Sequence, residues 1–377
     1  MPHDDPRPRL RRPGGPGRPT RASTTRPRTR SAAAALALAF ALTACGTSGL
    51  EPPDTASGGA GDIPDLAENR LQILEDPGEP SLPVTVSSVV HDPYRTSDDP
   101  LEYEDVEVTD TSRILPLTGS LSEIVFTLGL GDHVVGRDTA ATFAEAADLP
   151  VVSEAHEVSA ESVLSLEPTV ILADTQTGPP EAIEQLRASG VPVVIIEEAW
   201  SIEEMYPRFT RVAEALGVPE AGERLVERTR EQMAEVRAAS AEAAGDPLVA
   251  FLYLRGSAGV YLLGGPGSGA DALLAEVGAR DAGVEAGLTA PFTPITSEAL
   301  IAAQPEVILV MTKGLESVGG VEGLVEIPGI AQTPAGATGT VIDFEDGVLL
   351  NFGPRTPQVV AALAGELAGL ETAGAAE

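Results

Sequence analysis

A repeat without gaps constrains this chain more than any other feature. Residues 159–175 read SAESVLSLEPTVILADT and residues 296–312 read TSEALIAAQPEVILVMT, at a constant offset of 137 positions. Six of these 17 positions are identical: Glu161/Glu298, Pro168/Pro305, Val170/Val307, Ile171/Ile308, Leu172/Leu309 and Thr175/Thr312. Ser159 is placed to cap a short helix that Pro168 closes. Val170 to Ala173 is a continuous apolar run, as a strand buried on both faces requires. Gly119-Ser120 and Gly267-Ser268, each ahead of a helical pattern, echo one another too. A strand–helix unit used twice predicts an α/β protein of two Rossmann-like lobes, over 111–200 and 247–377.

The segment between them, 201–246, has no strand pattern and is rich in Glu, Arg and Ala. Pro219 divides it, and Ala221 to Ala243 keeps helical periodicity throughout, which at 1.5 Å per residue is roughly 35 Å of helix. One long rigid helix joining two lobes is a strut, so the lobes are expected to open and close only slightly.

Charge separates the N-terminus from the rest. The formal net charge is −33, yet residues 1–44 hold nine Arg against Asp4 and Asp5. The remaining chain has 15 basic and 55 acidic groups and repels phosphate backbones, which excludes nucleic-acid binding. Residues 31–44 are a short Ala/Leu-rich run, too short to span a bilayer comfortably and suited to a signal-peptide core. It ends in Leu42-Thr-Ala-Cys45, and Cys45 is the only cysteine, so no intramolecular disulfide and no Cys/His zinc site can form. Residues 46–66 are small, polar and rich in Pro and Gly, the composition of a flexible tether. In 67–110 the runs Val84–Val90 and Val106–Thr109 look like short strands around an acidic loop. These features divide the chain into a signal segment (1–44), a tether and extension (45–110), a first lobe, a helical linker and a second lobe.

Two residues at the end of the Leu248–Leu254 strand pattern carry distinctive chemistry. Tyr253 and Arg255 are two apart and project to the same side, at the strand's carboxyl end, where α/β sheets bind ligands. A tyrosine oxygen ligates ferric iron as phenolate, whereas an unperturbed phenol titrates at about 10. A neighbouring guanidinium favours the anion. The residues alone leave a second reading, a Tyr capping the core beside a surface Arg. His156 follows the Val151-Val152 strand. The 137 offset pairs it with Thr293, which places it on the cleft side facing the lobe of Tyr253; a solvated loop histidine is the alternative. Phe292 and Met311 suit contact with a flat apolar macrocycle or, equally, core packing. Arg355, after a Gly-Pro turn, suits a propionate of such a macrocycle or a structural ion pair.

Leu42-Thr-Ala-Cys45, the two lobes and the connecting helix together resemble the substrate-binding lipoproteins of bacterial ABC importers for cobalamin, siderophores and haem, the class III binding proteins. Leu117-Thr-Gly-Ser-Leu-Ser-Glu-Ile-Val-Phe-Thr-Leu-Gly129 and Ser162-Val-Leu-Ser-Leu-Glu-Pro-Thr-Val-Ile171 match that group's phrases. Glu154-Ala-His156-Glu157, Phe251-Leu-Tyr253-Leu-Arg255-Gly256 and Asn351-Phe-Gly-Pro-Arg355-Thr-Pro357 are similar to the haemin-binding members of actinobacterial importers, the HmuT type. The resemblance implies a monomeric receptor on the outer face of the cytoplasmic membrane, anchored through a lipid on Cys45. It would carry ferric haem b as transported ligand and deliver it to an ABC permease. His156 and Tyr253 would be the iron ligands, supported by Arg255. It also implies one docking carboxylate per lobe for the permease, with Glu181 or Glu184 as candidates on the first lobe and Asp271 on the second.

A siderophore or cobalamin receptor of the same fold, and an extracellular α/β enzyme, are the competing readings. Siderophore and cobalamin sites use stacked aromatics and Arg clusters, and this chain has one Trp, Trp200, and few cleft aromatics. No GxSxG, HExxH, Walker A or strand-linked GxGxxG motif supports an enzyme. One histidine in the cleft is too few for a multi-His zinc or manganese site. Cys45→Ala is expected to release the protein into the medium or leave an uncleaved precursor, as fractionation and immunoblotting would show. A variant that stays membrane-bound at the processed size contradicts the anchor.

Overall fold

A computed structural model describes residues 65–91, 100–154, 157–243 and 245–374; Cys45 and His156 lie outside them. The repeat folds alike in both copies. Ser159 Oγ accepts the N–H of Ser162 and Thr296 Oγ1 accepts that of Ala299, opening the helices Ala160–Leu164 and Ser297–Ala303. Glu167 (φ 48°) and Gln304 (φ 49°) then turn left-handed immediately before Pro168 and Pro305. These two non-glycine residues adopt a conformation that side chains disfavour, at positions 137 apart. The strands that follow, Val170–Asp174 and Val307–Met311, coincide end to end under the same offset.

The extension ahead of the first lobe carries an antiparallel strand pair, β1 (Val84–Val89) and β2 (Tyr103–Val108). Next come β3 (Ile114–Pro116), the short strands β4 (Arg137–Asp138), β5 (Val151–Glu154) and β6 (Glu157–Val158), then β7 (Val170–Asp174) and β8 (Val193–Ile196). β3, β7 and β8 form a parallel sheet in that order, while β4, β5 and β6 pair separately. The second lobe contains β9 (Leu248–Arg255), β10 (Val260–Gly264), β11 (Arg280–Asp281), β12 (Phe292–Pro294), β13 (Val307–Met311) and β14 (Val341–Phe344). Its sheet runs β12-β10-β9-β13-β14, with β9, β13 and β14 parallel, and with β11 beside the start of β9. The helices Ile202–Ala215 and Pro219–Ala243 join the lobes; the second has 25 residues, about 37 Å long at 1.5 Å per residue.

Side-chain alternation divides the interior into three cores. Val170 and Leu172 of β7, with Val249 and Phe251 of β9, face one apolar core shared by both lobes and the linking helices. Ile171 and Ala173 face a second core under the first lobe, and Ala250, Leu252 and Leu254 face a third under the second. The extension ahead of the first lobe belongs to the body. Leu71, Val86 and Val108 enter the shared core, Ser88 Oγ accepts the N–H of Ile195 (2.9 Å), and the Leu74 N–H donates to Thr127 O (2.8 Å). Among the described residues no helix is long and apolar enough to cross a membrane.

The lobes are pinned together by a buried ion pair. Glu123 lies on the helix Gly119–Val125 of the first lobe and Arg355 precedes the last helix, Thr356–Gly374; their side chains are 1% and 3% exposed. Glu123 Oε1 accepts the Arg355 N–H (2.7 Å), and Oε2 accepts Arg355 Nε (3.1 Å) and Asn351 Nδ2 (2.8 Å). Arg355 Nη1 donates to Asn69 Oδ1 (2.7 Å), and the guanidinium stands over the Phe143 ring. Gly353 has no room for a side chain, since a Cβ there would stand 2.7 Å from Glu123 Oε1. Arg355 thus stands in a structural ion pair: it is buried, and Glu123 and Asn69 engage its donors. Glu123→Ala leaves a buried guanidinium uncompensated, and denaturant unfolding is expected to show a loss of about 3–5 kcal/mol.

Candidate functional site

The period-2 alternation that sends Phe251 into the shared core also sends Tyr253 to that side, at the carboxyl end of β9. There the strand turns back through Gly256–Ala258 into β10, so Tyr253 stays half-buried. Its ring meets the Phe292 ring edge-on at 5.9 Å between centroids, and Phe292 meets Phe251 in the same manner at 6.4 Å. The Arg255 guanidinium carbon is 4.5 Å from the Tyr253 ring centroid, within reach of a cation–π attraction. The sequence predicts this Tyr–Arg proximity; what it does not predict is that the guanidinium covers the ring face. Arg255 Nη2 pairs with Asp346 Oδ2 (3.0 Å) and Nη1 donates to Leu254 O (2.8 Å). Met311, by contrast, is 5% exposed in the shared core, which is the packing alternative for that residue.

The turn after β14 brings the lobes into contact beside this cluster. Thr142 of the first lobe donates its hydroxyl to Glu345 Oε2 (2.9 Å), and a Cβ on Gly347 would stand 2.3 Å from Ala140 O. Gly347 therefore permits a backbone approach that any side chain blocks.

On the first lobe, His156 lies outside the described residues, between β5 and β6. Val158 of β6 donates its N–H to Gly178 O (2.7 Å), in the loop that follows β7. That loop carries a polar cluster where the second lobe has Met311. Asp174 pairs with buried Arg208 (3.5 Å) and accepts the Thr177 hydroxyl (2.8 Å). Glu198 accepts Thr175 Oγ1 (2.5 Å) and the Gln176 N–H (2.8 Å). Burial, and then the nearby Asp174 carboxylate, raises the Glu198 pKa, opposed by the Thr175 hydrogen bond and by Arg208.

Glu181 and Glu184 are exposed on the helix Pro180–Ala188. Asp271 is engaged locally. Its carboxylate accepts the N–H groups of Gly267 (2.8 Å) and Gly269 (3.0 Å) and closes the Gly-rich loop ahead of the helix Ala270–Glu276. A better-matched pair of acids was missed at the level of sequence. Glu161 and Glu298 both lie in the first turn of equivalent helices, and both are exposed. The signal was present as an identical pair in the repeat.

Two equivalent α/β lobes, a continuous helical linker, and an aromatic–arginine cluster at the carboxyl ends of the strands define a two-lobed ligand-binding protein. The chain belongs to the periplasmic binding protein family, whose model matches residues 114–346. It is similar to the periplasmic heme-binding protein RhuT from Roseiflexus sp. RS-1 in apo form, at 41% identity and TM-score 0.66 over 69% of this chain and 99% of that one. It is likewise similar to the heme binding protein HmuT, at 35% identity and TM-score 0.69 over 80% of this chain and 98% of that one. Solved forms of HmuT include single alanine variants of a histidine, a tyrosine and an arginine, the last two lying two positions apart. Among curated proteins, the uncharacterized ABC transporter substrate-binding lipoprotein YvrC of Bacillus subtilis (strain 168) is 30% identical over 131 residues, 34% of this chain and 41% of that one. The match thus spans less than half the length of that relative.

The Glu198 shift predicts a pH effect. A carboxyl with a raised folded-state pKa stabilises the fold fully below its unfolded value near 4.5, and that contribution is lost as pH rises through the folded value. Glu198→Gln is expected to raise the melting temperature at pH 7. The gain should vanish below about pH 4.5, which thermal unfolding across a pH series would check.

Proposed function

We propose that this protein is an extracytoplasmic receptor that binds ferric haem b between its lobes and passes it to an ABC permease. The observation that carries the reading is the cluster at the end of β9: Tyr253 half-buried, walled by Phe292 and covered by Arg255. A phenol oxygen is a ligand for ferric haem iron, the aromatic wall suits a flat apolar macrocycle, and the arginine supplies positive charge beside a developing phenolate. His156 of the first lobe is the proposed second axial ligand. The tyrosine and arginine two positions apart, and the histidine, singled out in HmuT support the same set of residue types here. Function is capture and release, with no bond made or broken in the ligand.

Glu161 and Glu298 are the proposed contacts for basic side chains of the permease, one per lobe. Their identity across the repeat suits a partner that meets both lobes alike. Glu181 and Glu184 remain exposed acids nearby, and Asp271 keeps the Gly-rich loop closed. A lipid on Cys45, ahead of the tether, holds the receptor at the outer face of the membrane.

Haemin titration tests the reading. One equivalent should give a shifted, sharpened Soret band, and Tyr253→Phe should abolish the phenolate-to-iron charge-transfer band. His156→Ala should leave a weaker, spectrally altered complex through the remaining bond. Unchanged spectra in both variants would exclude ligation from two lobes, and cobalamin or a siderophore bound in preference to haemin would exclude the haem assignment.

A further inference from the structure

Arg255 does not hold its position alone. Its stem is flexible and its side chain is 33% exposed, yet the guanidinium is fixed at two points, the Leu254 carbonyl and the Asp346 carboxylate. Asp346 is itself 13% exposed and anchored: Oδ1 accepts the N–H of Lys313 (2.8 Å), at the start of the helix Thr312–Ser317, while Oδ2 takes Arg255 (3.0 Å). An acid bound to backbone on one oxygen and to a guanidinium on the other is a bracket, unlike a surface pair of two mobile side chains. The residue before it, Glu345, accepts the Thr142 hydroxyl of the opposite lobe through Oε2, and the same oxygen accepts the Gly347 N–H (3.0 Å). One three-residue turn therefore touches the arginine over Tyr253 and the facing lobe.

We propose that Asp346 is a positioning residue of the ligand site: it holds the Arg255 guanidinium over the face of Tyr253, and through Glu345 the same turn sets that arginine relative to the first lobe. The proposal rests on Tyr253 and Arg255 forming the haem site. Its physical content is orientation. Freed from Asp346, Arg255 has rotamers that leave the ring and follow solvent, and the positive charge no longer stands at one place over the ring. With Glu345 tied to Thr142, the bracket keeps its place relative to ligands offered from the other side of the cleft.

Asp346→Asn is the selective variant. Asparagine has one acceptor oxygen, so it can keep the Lys313 N–H bond only by turning its NH₂ toward the Arg255 donors. The turn is retained and the guanidinium loses its anchor. In haemin titrations of the full chain, Asp346→Asn is expected to weaken binding about tenfold and to displace or broaden the charge-transfer band, with Asp346→Ala in the same direction. Made on top of Arg255→Ala, Asp346→Asn should cost nothing further, since the side chain it positions is gone. Thermal unfolding of each variant separates these effects from loss of fold. Binding within about twofold of wild type with an unmoved band, or an equal loss with and without Arg255, overturns the positioning role. Tyr253→Phe, run alongside, distinguishes the two levels: a band that persists in it removes the haem-site reading and the proposal together, whereas a band lost there but unmoved by Asp346→Asn removes only the proposal.

Discussion

Glu123 and Arg355 are both withdrawn from water at the junction of the lobes, and the arrangement of the molecule depends on how that cost is offset. A carboxylate and a guanidinium in a low-dielectric interior need each other and further hydrogen bonds for their remaining polar atoms. Asn351, the Arg355 backbone and Asn69 supply them. Net stabilisation from such a pair is small, but its geometric demand is strict, because a shift of either lobe strands a charge. The first helix of one lobe, the segment before the last helix of the other and the extension near Asn69 are thereby brought to one point. The shared apolar core and the long helix Pro219–Ala243 are consistent with this pinning.

The ligand side of the second lobe follows from the strand's own geometry. Phe251 belongs to the core, and its neighbour two positions on emerges where the strand ends, so Tyr253 is packed on one edge and open on the other. Arg255 emerges at the next such position and folds back over the ring. In a body with a large excess of acidic groups, this local positive charge stands beside Asp346 and Glu345, whose carboxylates accept from Arg255, Thr142 and backbone N–H groups.

The lobes share a scaffold and differ at the corresponding strand ends. Under the 137 offset Asp174 matches Met311. One belongs to a polar cluster with Arg208, Thr177 and Glu198, while the other is packed in the shared core. The polar cluster secures the loop that meets β6. The apolar version packs in the shared core. The same framework thus braces a loop in one lobe and supports an aromatic wall in the other.

The amino-acid sequence by itself determined the local elements and their duplication. Ser159 as a cap, Pro168 and Pro305 as stops and the apolar runs after them act over a few residues, so their pattern can be read directly, as can the equivalence of Glu161 and Glu298. The spacing of Tyr253 and Arg255 likewise put both on one side of a strand end. The tertiary structure decided which partners Arg355, Met311 and Asp271 take. Each choice depended on a partner distant in the chain or on a loop whose shape no periodicity encodes: Glu123 for Arg355, the shared core for Met311, the turned backbone at Gly267 and Gly269 for Asp271. It also drew 67–91 into the body, because the partners of Leu71 and Ser88 come from other parts of the chain. Asp346 is one carboxylate among many in the sequence, and only the folded chain sets it against Arg255, because the energy of a polar contact depends on distance and burial that residue order does not contain.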